Sequence, residues 1–357
     1  MQATRSSEGP AGRFVALDGL RGIAALTVVL YHIGIFFKFP NGMILHGNIA
    51  VDFFLCLSGF VLAVAHDRRF REGGGELRRF LASRIVRLWP TVLAGSVVAL
   101  FAALSMPGAV APSSAIQAFL FSIVVLPRID GQSLIWFNGV YWSLFAEIVV
   151  NLLWALSAKA ATTRRLLAIA ILLSIAMTWV AISRQSVHFF YQSVDMIVPT
   201  TIRAMVSFFI GVLAHRVYAA RLVRANVAPL ILIAALLFPM IVPGGSAWFR
   251  VPLSLLYIIV ANPVIVLLGA VSRHEGSGVL TWLGDISFPL YAMHLPIIVL
   301  LAPLVSTSSL TNKMAGAVGI VVVVLIVAEI VSRFFDKPVR GYLRTRLLPP
   351  PRRVATG

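Results

Sequence analysis

Leu17 to Ile33 reads LDGLRGIAALTVVLYHI. With its flanks it forms an apolar segment, 14–37, long enough to cross a bilayer as a helix. Yet it opens on Asp18 and Arg21 and carries His32 near its far end. Ionisable groups are expensive in hydrocarbon and are kept where they face a bundle interior or an aqueous cavity. The stretch therefore reads as one helix of a membrane-spanning bundle whose polar residues look inward.

The rest of the chain agrees. Of its 357 residues 59% are apolar and 12% charged, and the mean hydropathy is +0.93, which excludes an ordinary water-soluble globule. The expected fold is an all-α integral membrane protein. Ten segments have the length of a span: 14–37, 49–65, 88–106, 138–157, 166–183, 197–215, 227–243, 251–271, 281–303 and 314–334. An eleventh apolar run, 115–127, is short and bounded by Pro112 and Pro127, which suits an interfacial or re-entrant piece.

The formal charge of +17 does not signal nucleic acid, because the Lys and Arg residues punctuate apolar runs instead of covering a polar surface. They report topology. With ten spans and a cytoplasmic N-terminus, twenty-three of the 30 basic residues fall inside, as the positive-inside rule requires. Counting 115–127 as a span would export the basic C-terminus. Both termini are expected in the cytoplasm, with 1–345 a single transmembrane domain and 346–357 a short basic tail. No cleavable signal is evident. The single cysteine, Cys56, rules out an internal disulfide and a multi-thiolate zinc site, and no metal is expected.

Arg21 and His32 are eleven residues apart, three helical turns plus about 20°, and about 16 Å along the axis. Both therefore point at one surface, a permanent cation at one end and a proton acceptor at the other. The same spacing also fits a His32 that only bonds a neighbouring helix and an Arg21 that snorkels to the interface. In the second span, Asp52 can orient His32 or complete a charge pair. In SRIVRLWP, Arg84 and Arg87 stand at i, i+3 at the mouth of the third span, where they can grip a phosphate or simply mark topology. YWSLFAEI brings Trp142, Ser143 and Glu147, the last two sharing a face at i, i+4. Arg203 is a second intramembrane cation, with Glu147 or Asp195 as candidate partners. LGDISFPLYAMHLPI contributes Asp285, Tyr291 and His294, the histidine suited to a packing hydrogen bond. Glu329 suits a structural pair.

Taken in order, Arg21 with His32, DFFLCLSGFVL, Arg84 with Arg87, YWSLFAE, LGDISFPLYAMH and the closing FFDKP resemble the acyltransferase 3 family of membrane proteins. The likeness runs from about Arg13 to Arg340. Its one local departure is Ala50, where members usually have glycine. The resemblance implies a multi-pass enzyme of the bacterial cytoplasmic (inner) membrane that moves an acyl group, commonly acetyl, from cytoplasmic acyl-CoA to a hydroxyl of a glycan or lipid-linked sugar, such as a surface polysaccharide. It implies that His32 is essential to transfer and that Arg21, Arg84 and Arg87 are important, and it matches Trp142, Ser143 and Glu147 to a family stretch. With the residue reading added, His32, Asp52 and Glu147 are expected in catalysis, Arg21, Arg84 and Arg87 at the CoA phosphates, and Trp142, Ser143, Arg203 and His294 toward the acceptor. His32 would be either general base or nucleophile. Some members carry an appended SGNH hydrolase-like domain. Here the chain ends soon after the last span, so a later transfer step would fall to an exterior partner enzyme. Acyl-CoA is a co-substrate, and no tightly bound cofactor is expected. The reading from another class is a transporter of a proton-coupled anion or lipid-linked sugar, but no repeated pair of interrupted helices supports it.

Overall fold

The computed structural model describes residues 14–39, 46–72, 77–106, 111–242, 246–272, 278–305 and 309–348. The end of the expected tail, the glycine-rich stretch between Glu72 and Leu77 and parts of the loops at 41–48 and 107–138 lie outside them. Every expected span is helical. The helices are α1 (Val15–Phe37), α2 (Ala50–Arg71), α3 (Leu77–Leu104), α4 (Pro112–Ile123), α5 (Tyr141–Ser157), α6 (Thr163–Ser183), α7 (Ile197–Ala219), α8 (Pro229–Ile241), α9 (Ala247–Leu256), α10 (Asn262–Val271), α11 (Gly278–Leu301), α12 (Leu310–Ile330) and α13 (Lys337–Leu347). Among the described residues, eight helical segments are long and apolar enough to cross a membrane. Helix α5, at 17 residues, and α8, at 13, fall short of that length.

Helix α4 covers the run that sequence alone left outside the spans. At 12 residues it packs beside α3, joined by a Ser96–Ser122 hydroxyl contact of 2.8 Å. A small antiparallel hairpin, β1 (Arg128–Asp130) and β2 (Ser133–Ile135), follows in the 107–138 loop.

Burial sorts the helices. About two thirds of the apolar windows of α2 and α11 are buried, against 22% for α6 and for the segment that begins with α12. Large side chains on the outer helices, such as Leu172, Trp179 and Val318, stand exposed, which only an apolar solvent tolerates at this density.

Two seams hold the centre. Helix α1 lies parallel to α11, and glycines let the backbones touch. A Cβ on Gly22 would stand 2.6 Å from the Leu283 backbone, and one on Gly284 would stand 2.6 Å from the Asp18 carbonyl. Helix α2 lies parallel to α7 in the same way, Gly59 against the Phe208 backbone and Gly211 against Cys56. Gly22→Val should therefore destabilise the fold by about 1–3 kcal/mol through overpacking, read as a lowered Tm in detergent. An unchanged Tm would mean that this seam is not close-packed.

Prolines and π-segments tune the central helices. Pro296 has no N–H for the Ala292 carbonyl four residues back, and Asn138 Nδ2 donates to that oxygen instead at 2.8 Å. A π-segment, Val331–Asp336, precedes Pro338 and joins α12 to α13. Such bulges re-aim side chains. This one buries Asp336, which accepts from Thr91 Oγ1 at 2.8 Å and pairs with Arg340.

Candidate functional site

The α1–α11 seam places both ends of the site. At the Arg21 end, Arg21 Nε donates to Ser287 Oγ at 2.8 Å and Nη2 to the Gly284 carbonyl at 2.9 Å, with Asp18 3.2 Å away. Eleven residues along, His32 meets His294. The two ring centroids are 5.0 Å apart, with His294 fully buried and His32 only partly so.

The proton positions at this pair follow from the partners. His32 Nδ1 lies 2.9 Å from the Val28 carbonyl and His294 Nδ1 2.6 Å from the Tyr291 carbonyl. A carbonyl only accepts, so each Nδ1 carries the hydrogen in the neutral ring. His294 Nε2 is then a bare acceptor, 3.3 Å from the His32 Nδ1–H. The remaining nitrogen, His32 Nε2, keeps its lone pair and has no protein partner among the described residues. Backbone carbonyls and a second histidine thus prepare an imidazole to take a proton at Nε2.

Between the two ends runs a cavity of about 140 Å³, lined by residues that include Arg21, Arg87, Arg340, Glu147, Ser143 and Tyr291. Three guanidinium groups from three helices gather around it. Glu147 accepts from Ser58 Oγ at 2.7 Å, and Tyr291 and Ser143 share a 2.7 Å hydroxyl contact. Tyr291 and Phe54, whose rings pack edge-on 5.7 Å apart, are among its lining residues, and His32 is not. Tyr291 lies on the helical face that carries His294, their ring centroids 5.7 Å apart.

The expected residues divide. Arg21, Arg87, Ser143 and Glu147 meet at this cavity, and His32 with His294 stands beyond it. Arg84 does not line it. Three residues on a helix turn 300°, so Arg84 sits about 60° round from Arg87. Its guanidinium lies over the Phe80 ring at 5.7 Å, and its Nε is buried without a partner. The Nε of Arg340 is likewise unpartnered.

Asp52 does not orient His32. It belongs to a fully buried ion pair in the α2–α7 seam: Arg203 Nη2 donates at 2.5 Å, Arg203 Nε at 3.0 Å and Ser207 Oγ at 3.0 Å. Arg203 accordingly neutralises neither Glu147 nor Asp195, and the latter pairs with Arg184 at 3.3 Å. The remaining donors of Arg203 reach the Asn48 carbonyl at 3.2 Å and the Phe189 carbonyl at 2.9 Å, so one ion pair fixes two loop segments near His32. Trp142 backs the same arrangement, its ring 6.0 Å from the Arg203 guanidinium. Glu329 accepts from Trp282 Nε1 at 3.0 Å, a structural bond as expected.

Sequence reasoning missed Arg340 and the orphaned donors. By charge and position Arg340 reads only as one of the residues that set topology. Its readable signal was FFDKP, since a proline at Pro338 makes a break at 331–336 expected.

A family model described as an acyltransferase domain matches residues 14–333. Among curated proteins, the chain is 34% identical over 174 residues to "Protein 2 in picA locus" of Rhizobium radiobacter, an alignment covering 44% of this chain and 90% of that protein. No solved structure matches.

Proposed function

The chain belongs to the acyltransferase 3 family, a membrane acyltransferase, and from that premise we propose that it carries an acyl group from acyl-CoA at the Arg21 end to a carbohydrate hydroxyl at the His32 end. The acyl group proposed is acetyl, the membrane the bacterial inner membrane, and the Arg21 end cytoplasmic, in keeping with the distribution of basic residues. The observation that carries the chemistry is the His32–His294 pair, which leaves His32 Nε2 as a bare lone pair.

In the proposed step the acceptor O–H gives its proton to His32 Nε2 while its oxygen bonds to the thioester carbonyl carbon. The carbon–sulfur bond then breaks, and the proton passes from His32 to the departing thiolate. While His32 is charged, its Nδ1–H donates to the Val28 carbonyl and His294 Nε2, so His294 acts as a positioning residue. Arg21, Arg87 and Arg340 supply charge-assisted donors suited to the CoA phosphates. The orphaned Nε atom of Arg340 supports an anion there, because buried donors are seldom left unpaired. The thioester would reach His32 past Tyr291, which lines the cavity and packs against His294.

This reading predicts that Arg340→Ala raises KM for acyl-CoA about tenfold or more, the loss of one hydrogen bond between charged groups, with a smaller change in kcat. The check is CoA release from a donor series by purified protein in nanodiscs. An unchanged KM would remove Arg340 from the donor site.

A further inference from the structure

A second cavity of about 180 Å³ lies at the other end of the site. Tyr31, His46, Asn48, Gln185, His188 and Arg250 are among its lining residues. Tyr31 packs edge-on against His32, ring centroids 5.1 Å apart. Two of its walls, at Asn48 and at the loop of His188, are the segments whose carbonyls Arg203 holds. The third wall comes from α9, which brings Arg250.

The lining is polar and unevenly charged. No carboxylate lines it, and Arg250, exposed at the rim, has no acidic partner among the described residues. His46 Nε2 is buried without a partner. Burial, reinforced by the charges of Arg203 and His32, pushes His188 down to about 4, while burial and then Arg250 lower His46. Both rings are neutral at neutral pH, and Arg250 is the one cation of the lining. Gln185 stands at φ +53, where glycine is the default; its amide hydrogen-bonds the Ile182 carbonyl at 3.2 Å. The volume is below that of drug-sized pockets, which fits one small polar unit or the end of a longer chain.

We propose that this cavity is the acceptor subsite, and that it takes a sugar residue bearing an anionic group, a carboxylate or a phosphate, held by Arg250 while its hydroxyl reaches His32. The assignment rests on the reading of His32 as base. Neutral amide and imidazole groups suit sugar hydroxyls, which both donate and accept, and a lone guanidinium suits an oxyanion.

The test is equilibrium binding to the full chain in nanodiscs, with methyl glucuronide, glucose 1-phosphate and methyl glucoside as probes, for the wild type, Arg250→Gln and His32→Gln. At least one anionic probe should bind tenfold or more tighter than the neutral glucoside. Arg250→Gln should erase that preference, and His32→Gln should keep it. Which anionic probe wins distinguishes a uronate from a glycosyl phosphate. Equal binding of all three probes, absence of binding by any, or a preference that survives Arg250→Gln would overturn the proposal. Because binding needs no turnover, failure of His32 as the base would appear separately, as transfer undiminished in His32→Gln.

Discussion

His32→Gln is expected to fold, to bind acyl-CoA and to lose about 10³-fold in acyl transfer, within the range set for removal of a general base. Glutamine keeps a polar amide near the Val28 carbonyl and His294 but has no group that takes a proton at neutral pH. The loss should fall on kcat, with KM for the donor nearly unchanged, because Arg21 lies three turns of helix away and His32 does not line the cavity proposed for the donor. His294→Gln should behave differently: it leaves the base in place but removes the ring that faces His32 Nδ1, so transfer falls less and its pH profile shifts. If His32→Gln retained half of the wild-type rate, the proton would be going elsewhere. A stable acyl adduct on His32, found without acceptor, would favour the nucleophilic route over the base.

The second large effect is on stability. Asp52→Ala leaves the Arg203 guanidinium buried without its counter-charge, a change of about 3–5 kcal/mol, and it loosens the donors that hold the Asn48 and Phe189 carbonyls. Unfolding should come earlier in denaturant, and surviving protein should bind the anionic sugar probes poorly. A control lies in the same seam. Asp67 and Arg216 pair at 3.1 Å toward the other end of α2 and α7, so Asp67→Ala should also destabilise but leave probe binding intact. Equal loss of probe binding in both variants would make the Asp52 effect one of general stability only.

Much of this was legible in the sequence, and the gaps have physical causes. Twenty apolar residues announce a helix wherever they occur, so all ten expected spans appear as helices. The short ones, α5 and α8, are apolar but fall below the length of a full span. Arg21 and His32 on one face followed from helical geometry alone. The seams did not, because nothing in sequence order says that the first long helix pairs with α11, or α2 with α7. Those pairings rest on Gly22, Gly284, Gly59 and Gly211, which look like any other glycines in an apolar run. The acidic candidates for Arg203 were Glu147 and Asp195, and only the α2–α7 register brings Asp52 to it instead. His294 was expected to make a packing bond; its Nδ1 does so at the Tyr291 carbonyl, which is what frees its other nitrogen for His32. The arginine pair at 84 and 87 was read as one grip, yet the 60° between the two positions sends them to different neighbours.

In the proposed mechanism, donor binding and proton transfer sit at opposite ends of one seam. Equilibrium binding of CoA to purified wild type, Arg87→Ala and His32→Gln tests it most directly. The wild type should bind, Arg87→Ala should bind at least tenfold more weakly, and His32→Gln should bind as the wild type does while failing to transfer. Wild-type protein that does not bind CoA, or binding that depends on His32 and not on Arg87, would contradict it.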